Sequence, residues 1–236
     1  MTIENINDFN LILKEAENGN SKAMNKVAEI YEFGLIIDKI EVIKINERLS
    51  FEWTKKSYES GNIEATEKYA DYLSDNENIF CEKNIELAMQ LYEKAMNYGS
   101  DNATFSLGIE YRNKRNFEKA FELYVKANKS EKYHNELTVG LCQYYGIGTK
   151  KDKLKSLEIF KSLNPNNYSE YEIDEANYMI GKIYLEGEII EQSLDKARQY
   201  LELANKDGDH RSAQEILNII GKGKEKLKNT CCQHRI

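Results

Sequence analysis

The stretch Tyr92–Tyr111, YEKAMNYGSDNATFSLGIEY, carries small residues at Ala95, Gly99, Ala103 and Gly108, where a helix in a soluble protein would ordinarily place larger apolar side chains. Two readings compete for it: a glycine loop cradling phosphate, or a seam where helices approach closely. On both sides apolar residues recur at three- and four-residue spacing, as in Ala103, Leu107 and Tyr111, and again in Ala120, Leu123, Tyr124 and Ala127. That period is helical, not alternating.

The phrase is repeated along the chain. ILKEAENGNSKA, TKKSYESGNIEA and LELANKDGDHRSA share its order of a small residue, a glycine and a closing alanine. The closing alanines are Ala23, Ala65, Ala103 and Ala213. Ala176 fits by the residues that follow it, and Asn135 takes the same place in a divergent copy. Successive steps are 42, 38, 32, 41 and 37 residues, and a near-constant step in this range marks stacked repeats. Each copy continues with an apolar residue four positions on and a small one next: Val27 and Ala28, Tyr69 and Ala70, Leu107 and Gly108, Val139 and Gly140, Ile180 and Gly181. Three residues further stand Tyr31, Leu73, Tyr111, Gln143 and Tyr184, and a second helical phrase follows, such as ELAMQLYEKA, FEKAFELYVKA or LDKARQYLELA. Two helices approach to about 8 Å only where the contact side chains are small. The small residues therefore read as packing points.

These phrases resemble the Sel-one-like repeat, a relative of the tetratricopeptide repeat. That family joins its two helices by a loop of the form Tyr–x–x–Gly–x–Gly–x–x–x–Asp. YGIGTKKD (Tyr145–Asp152) keeps both glycines and the aspartate, with Gln143 in place of the tyrosine, and LEGEIIEQSLDKA keeps Gly187 but has Ile189 at the second glycine. The first two copies depart further, with an isoleucine-rich connection (Gly34–Glu47) and SDNENIFCEKN; the third is shortened to RNKRN. The resemblance covers about residues 5 to 221. It implies an all-α fold, a right-handed superhelix (solenoid) of about five helical hairpins with terminal half-repeats. A polar tail, 222–236, is expected to be disordered beyond it.

Composition agrees with helices and narrows the function. One proline in 236 residues is far below the usual share of roughly 5%. A net charge of −7 argues against nucleic-acid binding, which needs clustered cations. The N-terminus lacks a basic segment followed by an apolar run, and no apolar stretch of about 18 residues offers a membrane span; the expected compartment is the cytoplasm. The four cysteines are irregularly spaced and read as reduced thiols.

No catalytic constellation stands out. The phosphate-loop reading of Gly146–Ile147–Gly148 fails because that motif follows a strand and ends in a third glycine or Gly-Lys-Ser/Thr. Here a helical phrase precedes and TKKD follows. The three histidines, His134, His210 and His234, are far apart in a chain whose repeats touch mainly their neighbours. Cys231, Cys232 and His234 fall short of four ordered ligands. No cofactor, no metal and no enzymatic activity are expected.

The remaining surface is the face that each first helix would turn away from its partner helix and toward the inside of the superhelix, and the resemblance implies that this concave face binds protein partners. Helical geometry counted from the packing anchors places there Asn25, Glu29 and Glu32, then Glu64, Glu67 and Asp71. Phe105, Ile109 and Arg112 follow, then Leu137, Leu141, Tyr144 and Tyr145, and finally Tyr178 and Lys182. The first portion is acidic, which favours a basic partner, and the later portion is aromatic, with anchors of the kind protein partners use. The competing reading makes the aromatics inter-repeat core and the acids a solvated surface. The expected function is a protein-protein interaction module, most specifically a bacterial immunity protein that neutralises a basic toxin domain. The alternatives are a scaffold or adaptor for a signalling or envelope complex and, after it, an enzyme on a helical scaffold. Oligomeric state is left open.

Overall fold

A computed structural model describes residues 5–128 and 134–232, with side chains as far as residue 221. Twelve helices and one short hairpin of strands occur among the described residues. The chain divides into two compact units, Met1–Lys114 and Arg115–Ile236. The first unit holds α1 (Ile6–Glu17), α2 (Ser21–Phe33), β1 (Leu35–Ile37), β2 (Ile40–Ile43), α3 (Glu47–Glu59), α4 (Ile63–Ser74), α5 (Ile85–Asn97) and α6 (Asp101–Asn113). The second holds α7 (Phe117–Ala127), α8 (Glu136–Tyr145), α9 (Lys153–Ser162), α10 (Glu170–Glu186), α11 (Leu194–Ala204) and α12 (Arg211–Cys232). Within each unit every helix packs on its neighbour in the chain, as the repeat pattern requires. The fold is all-α and of the hairpin-repeat kind.

Helix starts are set by short polar side chains. Asn5, Asn20, Asn46, Asn62, Asn84 and Asn116 each cap a helix by accepting a backbone N–H of its first turn. Ser100, Asp152, Ser169 and Ser193 do the same for α6, α9, α10 and α11. Each such cap satisfies a donor that the helix itself leaves open. Asn135 differs. It stands where other copies have their alanine, yet α8 begins only after it, and its amide instead donates to the Tyr124 carbonyl at 3.1 Å.

The small residues sit at the contacts assigned to them. Ala28, Ala70 and Ala103 have no exposed surface, and Gly108 is buried. A Cβ on Gly140 would come within 2.6 Å of the Phe160 ring of α9, and one on Gly181 within 2.9 Å of Leu201 of α11. In the first unit Trp53 closes a core with Ile12, Ala16, Met24 and Val27; in the second, Met179, Ile180 and Ile183 centre a core with Leu157, Phe160 and Ala197.

Four of the connections differ in length but close on the same bond. The N–H of the residue capping the second helix donates to a carbonyl near the end of the first: Asn46 to Tyr31, Asn84 to Leu73, Asp152 to Gln143 and Ser193 to Tyr184, at 2.7–3.1 Å. The four acceptors are the positions that follow the small packing residue by three. Whatever lies between is free to vary. The isoleucine-rich connection folds as an antiparallel hairpin, β1 against β2, turning on Asp38 and Lys39 at φ 49° and 68°. Two consecutive residues of positive φ match the twist of paired strands. α12 runs past residue 221, and residues 233–236 lie outside those described.

Candidate functional site

The acidic residues expected at the front of the first unit do converge. Asn25 of α2 is 5% exposed, and its amide donates to Glu29 of the same helix and to Glu64 of α4, both at 3.3 Å. Glu29 also takes the Lys26 ammonium at 2.9 Å. Glu32 pairs with Lys68 of α4, and Glu67 accepts from the Ser100 hydroxyl at the start of α6. Asp71 accepts from the Tyr92 hydroxyl at 2.6 Å, and Ser74 meets that hydroxyl at 3.0 Å. Five carboxylates thus line adjoining faces of α2 and α4 with two ammonium groups, Lys26 and Lys68, among them.

Asp71 is exposed as a residue, but its carboxylate faces a cleft of about 370 Å³ shared with Glu32, Lys68, Tyr72 and Asp75. Partial loss of water lifts its pKa to about 6, with Glu67 and Glu32 adding to the rise and the Tyr92 hydrogen bond and Lys68 opposing it. Burial and the Asp71 charge raise the Tyr92 phenol well above its ordinary range. Near neutral pH the face is negative, and at mildly acid pH it loses part of that charge.

The later portion is built otherwise. On α6, Phe105 and Ile109 are half-buried and Arg112 is exposed. In the second unit Tyr144, expected on the displayed face, is 2% exposed, because its ring and hydroxyl close a polar clamp. Its hydroxyl donates to Glu186 at 2.5 Å. The buried Lys153 ammonium reaches Glu186 and Glu188, each at 2.6 Å, and lies over the Tyr144 ring at 4.9 Å. Burial works against the Lys153 charge, but the two carboxylates prevail and hold its pKa above the usual range. Lys182 sits over both Tyr144 and Tyr145, and of these rings only Tyr145 is exposed. Leu137 is buried and Leu141 packs on the same core. Tyr178 is half-buried, with its ring 4.8 Å from that of His210. Of the three tyrosines, Tyr144 is internal, as in the competing reading of the sequence, Tyr178 is half-buried and Tyr145 is displayed.

Sequence reasoning did not find Lys153, Glu186 and Glu188. Their contacts span 33 to 35 residues, and a lysine at the first position of a helix carries no signal of burial. Among the described residues no group of three or more His, Cys, Asp or Glu is placed to hold a metal ion, and no helix is long and apolar enough to cross a membrane. The side chains of Cys231, Cys232 and His234 lie outside those described.

Comparison with known proteins agrees with the repeat reading. The Sel1 repeat model matches residues 21–62, 63–97, 102–130, 139–162 and 174–209. No curated protein matches. Among solved structures, a protective antigen present in uropathogenic Escherichia coli strains, displaying an SLR fold, superposes with a TM-score of 0.69 at 26% identity over 91% of this chain; the chain spans 44% of that protein's length. A Sel1 repeat protein from Oxalobacter formigenes gives 0.66 at 21% identity, covering 87% of this chain and 80% of its own. A putative sel1 repeat protein from Klebsiella pneumoniae subsp. pneumoniae gives 0.52 at 21%, covering 90% and 99%. With its five matched segments and closing bonds recurring between helices, the chain belongs to the Sel1 repeat family.

Proposed function

We propose that the chain is a non-catalytic protein-binding module whose partner docks a basic surface on the α2–α4 face of the first unit. Sel1 repeat proteins mediate protein–protein interaction, and the observation that favours a basic partner is the convergence of Glu29, Glu32, Glu64, Glu67 and Asp71 with only Lys26 and Lys68 among them. Asn25 and Ser100 hold three of these carboxylates from behind, so the face is ordered before any partner arrives, which lowers the entropy cost of docking. Complementary charge of this kind accelerates encounter more than it deepens affinity. The most specific form of the reading is a bacterial immunity protein, acting in the cytoplasm, that masks a basic toxin domain. It calls for one stoichiometric partner.

The test is to capture the partner from native cells with the full chain, identify it by mass, and repeat the binding with Glu29, Glu32, Glu64 and Glu67 changed to Lys. A folded variant, judged by its helical circular dichroism, should associate at least about tenfold more slowly and lose the salt dependence. An unchanged association rate and salt dependence would refute the acidic-face reading. Several partners in substoichiometric amounts would refute the immunity form.

A further inference from the structure

In the second unit a cleft of about 550 Å³ opens between the first turns of α10 and the connection from α11 to α12. Asp174 lies on its wall and is only 9% exposed. Among the described residues its carboxylate accepts no hydrogen bond and forms no ion pair. The cations around it pair with other carboxylates, two of which, Glu170 and Glu175, line the same cleft. Lys206 pairs with Glu170, the His210 Nε2 lies 3.5 Å from Glu175, and the Arg211 Nε meets Glu215 at 3.1 Å. Burial holds the Asp174 carboxyl above its ordinary range; Lys206 opposes the shift, while Glu170, Asp207 and Asp209 add to it.

A carboxylate that has given up part of its water to the fold without gaining a donor favours a cation that brings one. We infer that this cleft is a binding site for a guanidinium, the arginine side chain of a protein partner. The described residues offer no metal-holding group, and the cleft is far larger than a single ion needs. A guanidinium suits it on three counts. Its planar fork matches a carboxylate, it is more weakly hydrated than an ammonium and gives up less on entering a half-closed cleft, and it stacks on aromatic faces. The Tyr171 ring, 73% exposed, stands in the lining to receive it. The reading of the chain as a protein-binding module bears only on the source of the guanidinium; the chemistry of the cleft stands apart from it and from the α2–α4 face.

The experiment is a titration of the isotope-labelled full chain, followed by amide chemical shifts. The probes are N-acetyl-argininamide, its neutral isostere N-acetyl-citrullinamide, and free arginine. The arginine amide should shift residues 170–175 and 207–212 with a midpoint in the millimolar range, and the citrulline amide should not. Asp174→Asn keeps the side-chain size and should weaken binding roughly tenfold or more. The exposed Tyr171→Ala gives an independent check, with a loss of about two- to fivefold. Free arginine has both an α-carboxylate and an α-ammonium where a peptide has amides, so weaker binding than the blocked amide supports a protein source, and tighter binding would overturn it. Absence of shifts, equal shifts from the citrulline amide, or an unchanged midpoint in Asp174→Asn would overturn the site. Shifts confined to α2 and α4 would assign the guanidinium to the acidic face, leaving that reading intact while removing this one.

Discussion

At the scale of the residue, the glycines separate by cause. A Cβ on Gly99 would meet nothing within 4 Å, yet the residue holds φ at 92°; its role is conformational, ending α5 so that α6 can turn back. Gly181 holds no unusual φ and is confined by Leu201 and Ala197 of α11; its role is spatial. Gly148 combines both, with φ at 68° and a Cβ position that overlaps the Phe117 carbonyl at the start of α7. Gly148→Ala should therefore cost about 3 kcal/mol, from overpacking and strain together, whereas Gly99→Ala should cost about 1 kcal/mol. Thermal melts of the two variants check the order. Asp71 gives a pH test. Its folded pKa of about 6 lies above the ordinary carboxylate value, so the folded state holds this proton more tightly than the unfolded chain. Its contribution is full at low pH and is lost as pH rises through 6. Asp71→Asn, which can still accept from Tyr92, should melt higher than the natural chain at pH 8, and the gap should close on acidification toward pH 4.

At the scale of the element, most of the fold was legible because its signal is local and repeated. Small residues at a constant offset, glycines at helix ends and polar caps are all read within a dozen positions. The hairpin of β1 and β2 was not legible: LIIDKIEVI lacks the Asn-Gly or Asp-Gly pair that announces a two-residue turn, and within a helical repeat it reads as a long connection. It is accommodated with the closing bond from Asn46 to the Tyr31 carbonyl in place. Its turn is its weak point, because Asp38 and Lys39 both hold positive φ. Replacing the pair by Asn-Gly should stabilise the hairpin by about 1 kcal/mol, measured as slower hydrogen exchange of its strand amides with little change in α4 and α5.

At the scale of the whole molecule, the grouping of the acids on the proposed face was legible and the burial of Tyr144 was not. Glu29, Glu32 and Glu64 follow from helical phase alone. Whether a tyrosine on that phase is displayed depends on what another repeat puts against it, and Tyr144 meets Glu186, 42 residues away. No local pattern carries that information. The same division separates what the family shares from what this chain adds. The family supplies packed hairpins; the acidic face and the cleft around Asp174 are built from side chains on their outer surfaces. Raising the salt should slow association with a basic partner while leaving the melting temperature nearly unchanged, because the packing contacts are apolar and little screened. Stopped-flow association and a thermal scan over the same salt series test this together.

The capping residues have a consequence for how such a chain changes over generations. An asparagine codon is one base from aspartate and one base from serine, and all three residues cap a helix nearly equally well. Aspartate also adds a charge that the start of a helix favours. At the exposed caps Asn20, Asn46, Asn84 and Asn116 a single mutation can therefore deepen the acidity of the molecule and leave its helices in register. Surface charge can drift toward a new partner without passing through an unfolded intermediate sequence.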